Sequence, residues 1–278
     1  MVRWGAMNTL QLRFRILLAL FIAIFIIAVI GFMSVEKLSL VDAFYFSIVT
    51  MATVGYGDIH PLTLPGKILV IFIIIAGVGT FLGVIANATE IILNKREKEA
   101  RLEKINMMIG IFFSDAGKKL LADFSNIDPQ VEAIRQALIV TNDWSEREFS
   151  RVSRLLQNYG YAVEIHILDL GNLRTFLVGQ RDFLLRLLEN PSLMEHERFT
   201  DLLLAVFHLT EELASRNDLT NLPNTDQAHL KTDIKRAYAL LVQEWLYYMK
   251  YLKSAYPYLF SLALRTNPFD REASPIVK

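Results

Sequence analysis

The sequence predicts an all-α protein, in which a membrane domain of two transmembrane helices and a re-entrant helix precedes an all-helical cytoplasmic domain. Two uncharged apolar runs are long enough to cross a bilayer, and a third run between them is too short. The rest of the chain follows a helical periodicity almost throughout. Hydrophobic residues make up 53% of the 278 residues, a high share for a wholly soluble protein.

The two predicted spans are the runs 16–33 and 68–89, which contain no charged side chain. The first run could be a secretory signal, but it is longer than the usual signal core and no Ala-x-Ala-like cleavage site follows it. Basic residues cluster before the first span and after the second. By the positive-inside rule we expect a multi-pass plasma-membrane protein with both termini in the cytoplasm.

The short run between the spans, residues 39–52, covers only about half a bilayer at about 1.5 Å per helical residue. It is therefore predicted to enter and leave the membrane on the same side. The irregular residues 53–57 that follow must then line a water-filled cavity, because lipid cannot satisfy their backbone groups. Two spans cannot enclose such a cavity alone, so we expect several copies around a symmetry axis.

The residues after this run are Thr53-Val54-Gly55-Tyr56-Gly57-Asp58. Gly55 and Gly57 permit backbone angles that other residues avoid, which lets successive carbonyls face one axis. In this setting the segment resembles the selectivity filter of tetrameric prokaryotic two-transmembrane potassium channels. The resemblance implies a homotetramer that conducts K⁺ passively and has no cofactor beyond the permeant ion. It implies K⁺ sites at Thr53, Val54, Gly55 and Tyr56.

Residues around the filter are expected to support it. We predict that the Tyr45 hydroxyl donates a hydrogen bond to Asp58 and braces the outer mouth. The resemblance implies that Val54 and Tyr56 turn away from the axis toward an aromatic cuff formed by Phe44, Tyr45 and Phe46. Many relatives have a glutamate four residues before the filter threonine, where this chain has Val49. A mechanism that needs a buried carboxylate behind the filter is therefore not expected.

The second span is expected to carry the gate. Gly77 aligns with the hinge glycine of the calcium-gated prokaryotic channels when counted from the filter. Small and polar residues that recur at three- and four-residue steps define one helical face, predicted to line the cavity and the constriction: Gly79, Gly83, Ala86, Asn87 and Glu90. Close helix packing without a hinge is the alternative. Four copies of Glu90 would concentrate cations at the cytoplasmic mouth.

These inferences set the predicted domain boundaries. The pore domain comprises residues 1–93, followed by a helical linker at 94–109 and the cytoplasmic helical domain at 110–278. The elements predicted within the pore domain are the first transmembrane helix at about 14–34, the pore helix at about 41–52, the filter at 53–57 and the second transmembrane helix at about 67–93.

The cytoplasmic residues predict helices at about 115–125, 129–140, 145–158, 170–189, 193–215 and 226–255. Asp128 and Pro129 are expected to begin the second of these helices. Capping boxes are expected at Ser145-x-x-Glu148 and Ser192-x-x-Glu195. A single strand at 161–168 is an alternative that the sequence does not decide. The glycines lack the spacing of a nucleotide-binding fold and no β-roll pattern occurs, so the region is assigned to no family.

Enzymatic chemistry is not expected. The chain has no cysteine. His166, His196, His208 and His229 are scattered, and no pair of them sits with a carboxylate at metal-ligand spacing on one helical face, so they are expected to be ordinary surface or core histidines. The oxygen-rich segment 217–226 lacks the spacing of an EF-hand. Lys and Arg total 29, as do Asp and Glu, so no nucleic-acid partner is indicated.

The sequence therefore favours a homotetrameric potassium-selective channel in contact with membrane lipid. Its helical domain would assemble the tetramer and couple an unknown ligand or protein to the gate. The alternative is a membrane-anchored sensor or interaction protein with a vestigial pore. A potassium transporter subunit would need several pore repeats, and this sequence contains one.

Overall fold

The structure is a computed structural model that describes residues 2–277, except for the side chains of residues 2–8, 194 and 195. The fold is all-α, as predicted, and the described residues contain no β-strand. The chain divides into two compact units, Met1–Ala100 and Arg101–Lys278.

The first unit contains two helices that are long and apolar enough to cross a membrane, separated by a shorter one. Its elements are α1 (Val2–Val35), α2 (Leu40–Met51), α3 (Leu64–Ile73), a π-helical turn (Ile74–Val78) and the beginning of α4 (Gly79–Phe112). Only 17% and 11% of the most apolar windows of the two long helices are buried within the chain. Such exposed apolar surface is expected of a membrane protein, whose helices are covered by lipid or by other subunits.

A small apolar core joins α1, α2 and α3. The Phe32 and Phe46 rings meet at 4.8 Å between centroids, and both side chains are buried. Met51, the last residue of α2, is also buried in this core. The short helix α2 is therefore held by its inner face against α1 and α3.

The second unit is a helical assembly around one continuous apolar core. Its elements after α4 are a second π-helical turn (Phe113–Gly117), α5 (Lys118–Asn126), α6 (Glu132–Arg135), a 3₁₀ turn (Gln136–Leu138), α7 (Glu146–Gln157), a 3₁₀ turn (Ile165–Ile167), α8 (Leu170–Gly179), α9 (Arg181–Leu188), a 3₁₀ segment (Pro191–Glu195), α10 (Glu197–Ala214), α11 (Asn224–Ala255) and α12 (Pro257–Arg265). The long helix α11 contributes many of the buried side chains, among them Tyr238 and Trp245.

Several local predictions are wrong in this unit. The Asp128 carboxylate accepts the Gln130 N–H at 3.0 Å in a turn, and the helix that was expected at Pro129 begins at Glu132. The predicted helix at 170–189 is interrupted at Gln180, which caps both α8 and α9. Residues 161–168, for which the sequence allowed a strand, contain a 3₁₀ turn at Ile165–Ile167 with irregular residues on either side. Helix α12 was not predicted.

The two predicted capping boxes differ in outcome. At Ser145 the box is confirmed: the Glu148 carboxylate accepts the Ser145 N–H at 2.7 Å. At 192–195 it is wrong, because these residues form a 3₁₀ segment and α10 begins at Glu197. There His196 is the N-cap, and its Nδ1 accepts the Phe199 N–H at 3.2 Å.

A buried carboxyl in α11 should make the stability of the protein depend on pH. The Glu244 side chain is 3% exposed, and its nearest cation is Arg198, with Nε 3.7 Å from Oε2. Burial raises the pKa of Glu244 to about 7, against the smaller opposing effect of Arg198. Because the folded protein holds this proton more tightly than the unfolded chain, stability is greatest below the unfolded pKa. It falls as pH rises through the folded pKa.

We therefore expect wild-type protein to lose on the order of 3 kcal/mol of unfolding free energy between pH 4.5 and pH 8 through this group. Glu244→Gln cannot ionise and should not show this loss. The measurement is the melting temperature of both proteins across this pH range. A wild-type-to-variant difference that stays constant with pH would contradict the prediction.

Candidate ion pathway

Helix α2 ends against the predicted filter and satisfies its first backbone donors. The Val49 carbonyl accepts the Val54 N–H at 2.9 Å and the Gly55 N–H at 3.3 Å, and the Thr50 carbonyl accepts the Thr53 N–H at 3.1 Å. The first filter residues thus fold directly onto the helix end. A helix C-terminus carries partial negative charge, which favours a cation beside it.

The filter backbone alternates in handedness. Thr53, Gly55 and Gly57 have positive φ angles of 61°, 58° and 79°, whereas Val54 and Tyr56 do not. A Cβ at Gly55 or Gly57 would meet no atom within 4 Å, so backbone conformation rather than space requires glycine. Alternation of left- and right-handed residues turns successive peptide units the same way. This backbone can present a row of carbonyl oxygens to one axis.

The side chains of the filter are not packed within one chain. Val54 is 50% exposed and Tyr56 is 72% exposed. The aromatic cuff predicted around them differs from the structure, because two of its three rings contact α1. The Phe44 ring lies 5.1 Å from that of Phe25, and Phe46 packs on Phe32.

Tyr45 is the ring that reaches the filter mouth. Its hydroxyl donates a 2.8 Å hydrogen bond to Asp58 Oδ2, which is the bond suggested from the sequence. The bond joins α2 to the residue directly after Gly57. It therefore closes the filter segment into a loop that is tied at both ends to one helix.

Tyr45→Phe tests the predicted potassium filter, and we expect it to shorten the time that such a filter stays conductive. The variant loses a hydrogen bond to a charged acceptor, which is among the stronger kinds of hydrogen bond in proteins. We expect faster decay of K⁺ current in planar-bilayer recordings, with K⁺ preference retained. Asp58→Asn should have a similar effect, because it weakens the same bond. Decay rates equal to wild type in both variants would contradict the prediction.

Glu36 is a structural residue that the sequence reasoning missed. Its carboxylate follows α1 and accepts hydrogen bonds from the Leu62 N–H, the Thr63 N–H and the Thr63 hydroxyl, the last at 2.6 Å. The Thr63 hydroxyl lowers the pKa of Glu36. A Cβ at Gly66 would lie 1.7 Å from Glu36 Oε1, so glycine there makes room for the carboxylate. Glu36 thereby ties the end of α1 to the start of α3.

The predicted hinge glycine lies in a π-helical turn. Gly77 falls within Ile74–Val78 and is buried, and a Cβ there would lie 2.9 Å from the Met51 side chain at the end of α2. The Thr80 hydroxyl donates to the Ala76 carbonyl at 2.9 Å and to the Gly77 carbonyl at 3.0 Å. Gly77 is therefore a packing residue and also part of an irregular turn, of the kind at which helices bend.

The remaining candidate gate residues lie along the first part of α4. Gly79, Ala86 and Glu90 are exposed, while Gly83 and Asn87 are partly buried. The Asn87 side chain donates to the Gly83 carbonyl at 3.0 Å. A Cβ at Gly83 would touch Leu17 of α1 at 3.5 Å, which is an ordinary contact, and a Cβ at Gly79 would touch nothing. These small residues therefore leave part of the α4 surface open.

The histidines were expected to be scattered, with no pair beside a carboxylate on one helical face; His208 and His229 do lie on different helices, but the fold brings them together with two carboxylates. His208 and Glu212 are four residues apart on α10, and His229 and Asp233 are four residues apart on α11. The side chains of the first pair and of His229 lie close enough to share a metal ion. The i, i+4 spacing was present in the sequence, but the meeting of the two helices was not predicted.

Comparison with known proteins gives two family matches. Residues 101–265 match the family described as "Uncharacterized protein MJ1433, C-terminal helical domain". Residues 17–94 match the family described as "Ion channel". No solved structure gives a significant match to the chain.

The individual proteins similar to this chain fall into the same two groups, one related to MJ1433 and one of potassium channels. The Uncharacterized protein MJ1433 of Methanocaldococcus jannaschii is 48% identical over 184 residues, which cover 66% of this chain and 74% of that protein. Potassium channel protein 1 of the same organism is 31% identical over 122 residues, 38% of this chain and 37% of that protein. Two-pore potassium channel 4 of Arabidopsis thaliana is 45% identical over 75 residues, 27% of this chain and 26% of that protein.

Proposed function

The chain belongs to the family of the MJ1433 C-terminal helical domain and carries an ion-channel domain ahead of it; on this basis we propose that four copies form a potassium-selective channel that conducts K⁺ passively. The observation that carries the proposal is the alternating backbone of Thr53, Gly55 and Gly57 at the end of α2. The channel matches favour a channel rather than an enzyme.

In this proposal the backbone oxygens of Thr53, Val54, Gly55 and Tyr56 replace the water shell of K⁺, with Gly57 completing the filter. One filter strand supplies only one side of such a cage. Four copies around an axis would supply the rest and would cover Val54 and Tyr56, whose exposure supports contacts with neighbouring subunits. Tyr45, Val49 and Asp58 would hold each strand in position.

The proposed domain division is the pore domain at 1–93, the linker at 94–109 and the helical domain at 110–278. Both termini would lie in the cytoplasm of a plasma-membrane protein. The gate would use Gly77 as the hinge and residues 83–90 as the constriction. Glu90 would form a charged ring at the inner mouth.

The helical domain would assemble the tetramer and regulate the gate. Its link to the pore is covalent, since α4 runs from Gly79 to Phe112 without a break. At its end, Phe112 packs on Phe199 of α10 with ring centroids 5.6 Å apart. In this proposal movement of the helical domain reaches the gate through this helix.

The test is K⁺ flux into liposomes that contain the purified protein, with Na⁺ as the competing ion and the subunit number measured on the same sample. We expect K⁺ flux well above Na⁺ flux and a tetramer. Sodium passing as readily as K⁺, or a protein that never forms a tetramer, would overturn the proposal. A tetramer with no flux would favour the membrane-anchored sensor with a vestigial pore.

Regulation is tested separately in planar bilayers, by comparing the full chain with a truncation near Lys104. A changed open probability would support a gating role for the helical domain. An unchanged open probability would leave assembly as its role.

A further inference from the structure

Four side chains that can bind metals meet between α10 and α11. His208 Nε2 lies 3.4 Å from Asp233 Oδ2 and 3.7 Å from Glu212 Oε1. His229 Nε2 lies 3.3 Å from Asp233 Oδ2 and 3.5 Å from Glu212 Oε2. Each histidine thus faces both carboxylates, and each carboxylate faces both histidines.

One ligand atom from each of His208, Glu212 and His229 lies within 4.8 Å of the other two, and Asp233 Oδ2 lies beside both histidines. The histidine–carboxylate distances are close to those between adjacent ligands of a tetrahedral ion. Zinc bound by nitrogen and oxygen at about 2.0–2.1 Å keeps neighbouring ligand atoms about 3.3–3.4 Å apart. Three of the four measured distances lie within 3.3–3.5 Å. Small movements of the Glu212 side chain, which is partly exposed, would bring the fourth into range.

Asp233 provides independent support for a bound ion. Its side chain is 3% exposed, and its Oδ2 is buried without a hydrogen bond from any described residue. The other oxygen, Oδ1, lies 3.2 Å from Arg236 Nη1. Arg236 thus orients the carboxylate and leaves Oδ2 aimed at the two imidazole nitrogens. A buried carboxylate oxygen without a partner is costly, and a metal ion would satisfy it.

Arginine holds the second carboxylate in a similar way. Arg216 Nη1 lies 2.8 Å from Glu212 Oε2, and its Nη2 lies 2.6 Å from Asp226 Oδ1. The Arg216 guanidinium thus fixes the position of the Glu212 carboxylate beside His229. Ligands oriented by neighbouring groups are a usual feature of metal sites.

We propose that His208, Glu212, His229 and Asp233 form a site for one zinc ion that bridges α10 and α11. Two imidazoles favour zinc or a related transition metal over Ca²⁺ and Mg²⁺, which prefer oxygen ligands. The ion would join the two helices on either side of the loop 215–223. The competing explanation is that the histidines form only salt bridges when protonated.

The experiment is calorimetric titration of ZnCl₂ into the full-length protein, purified in detergent and stripped with EDTA. We expect one Zn²⁺ per chain and a higher melting temperature with zinc. CaCl₂ and MgCl₂ should produce neither effect. Co²⁺ bound at the same site should show the intense visible absorption of a tetrahedral ion. Absence of stoichiometric zinc binding would overturn the proposal and leave the salt-bridge explanation.

Ligand variants locate the site. His229→Gln and Asp233→Asn should each weaken zinc binding at least about 100-fold. His229 is 51% exposed, so its replacement should leave the fold intact. The matched control is His166→Gln, because His166 also faces a carboxylate, Glu164 at 3.7 Å, but stands apart from the cluster. Unchanged zinc affinity in both ligand variants would overturn the assignment. None of these measurements requires an active channel.

Discussion

Gly55→Ala is expected to reduce K⁺ flux below detection. Gly55 has a φ of 58°, and an L-residue in this region costs about 1–2 kcal/mol. In the proposed tetramer the four filter strands share one axis, so the strain is repeated four times around the ring. The alanine backbone should relax toward negative φ, which turns a carbonyl away from the axis. The measurement is K⁺ uptake by liposomes at matched amounts of protein.

The matched control is Gly160→Ala. Gly160 does not have a positive φ, and a Cβ there would meet no atom within 4 Å. This variant should conduct like wild type. Size-exclusion chromatography of both variants shows whether the oligomer is intact, so that loss of flux is not mistaken for loss of assembly. Wild-type flux and K⁺ preference in Gly55→Ala would contradict the filter assignment.

The fold class and the positive φ angles of the proposed filter could be predicted because their signals are local. A long uncharged apolar run indicates a membrane-spanning helix whatever the rest of the chain does. The glycines at 55 and 57 indicate positive φ angles from a stretch of a few residues. The Tyr45 to Asp58 bond was also accessible, since α2 and the filter are contiguous in sequence. Each of these features depends on residues that lie near one another along the chain.

Features that depend on distant residues were missed. Glu36 contacts Thr63 across 27 positions, and nothing near Glu36 in the sequence indicates this bond. The close approach of Met51 to Gly77 joins residues 26 positions apart and was not predicted either. Helix α12 was missed although its first residue, Pro257, is a local start signal, so this miss was a failure to use the signal.

The histidine cluster illustrates the same limit. Its two i, i+4 pairs, on α10 and α11, are visible in the sequence once each helix is known. Their convergence requires the two helices to pack in one register, which periodicity alone does not determine. Asp233 is informative only in the structure, because its burial distinguishes it from an ordinary surface carboxylate.

Phe112→Ala is expected to lower the unfolding free energy of the helical unit by about 3–5 kcal/mol. Phe112 is fully buried and is the last residue of α4. Its ring packs against Phe113 at 5.4 Å and Phe199 at 5.6 Å, so truncation leaves a cavity where α4 meets α10. Denaturant titration followed by tryptophan fluorescence measures the change, because Trp245 is buried in the same core.

Ile111→Ala provides the control for this cavity. Ile111 is the preceding residue of the same helix, but its side chain is 55% exposed. Its truncation should change the unfolding free energy by less than about 0.5 kcal/mol. If the two variants were equally destabilised, the loss would reflect the helix itself and not its contact with α10. Phe112 would then not be the residue that fixes the end of α4 to the helical core.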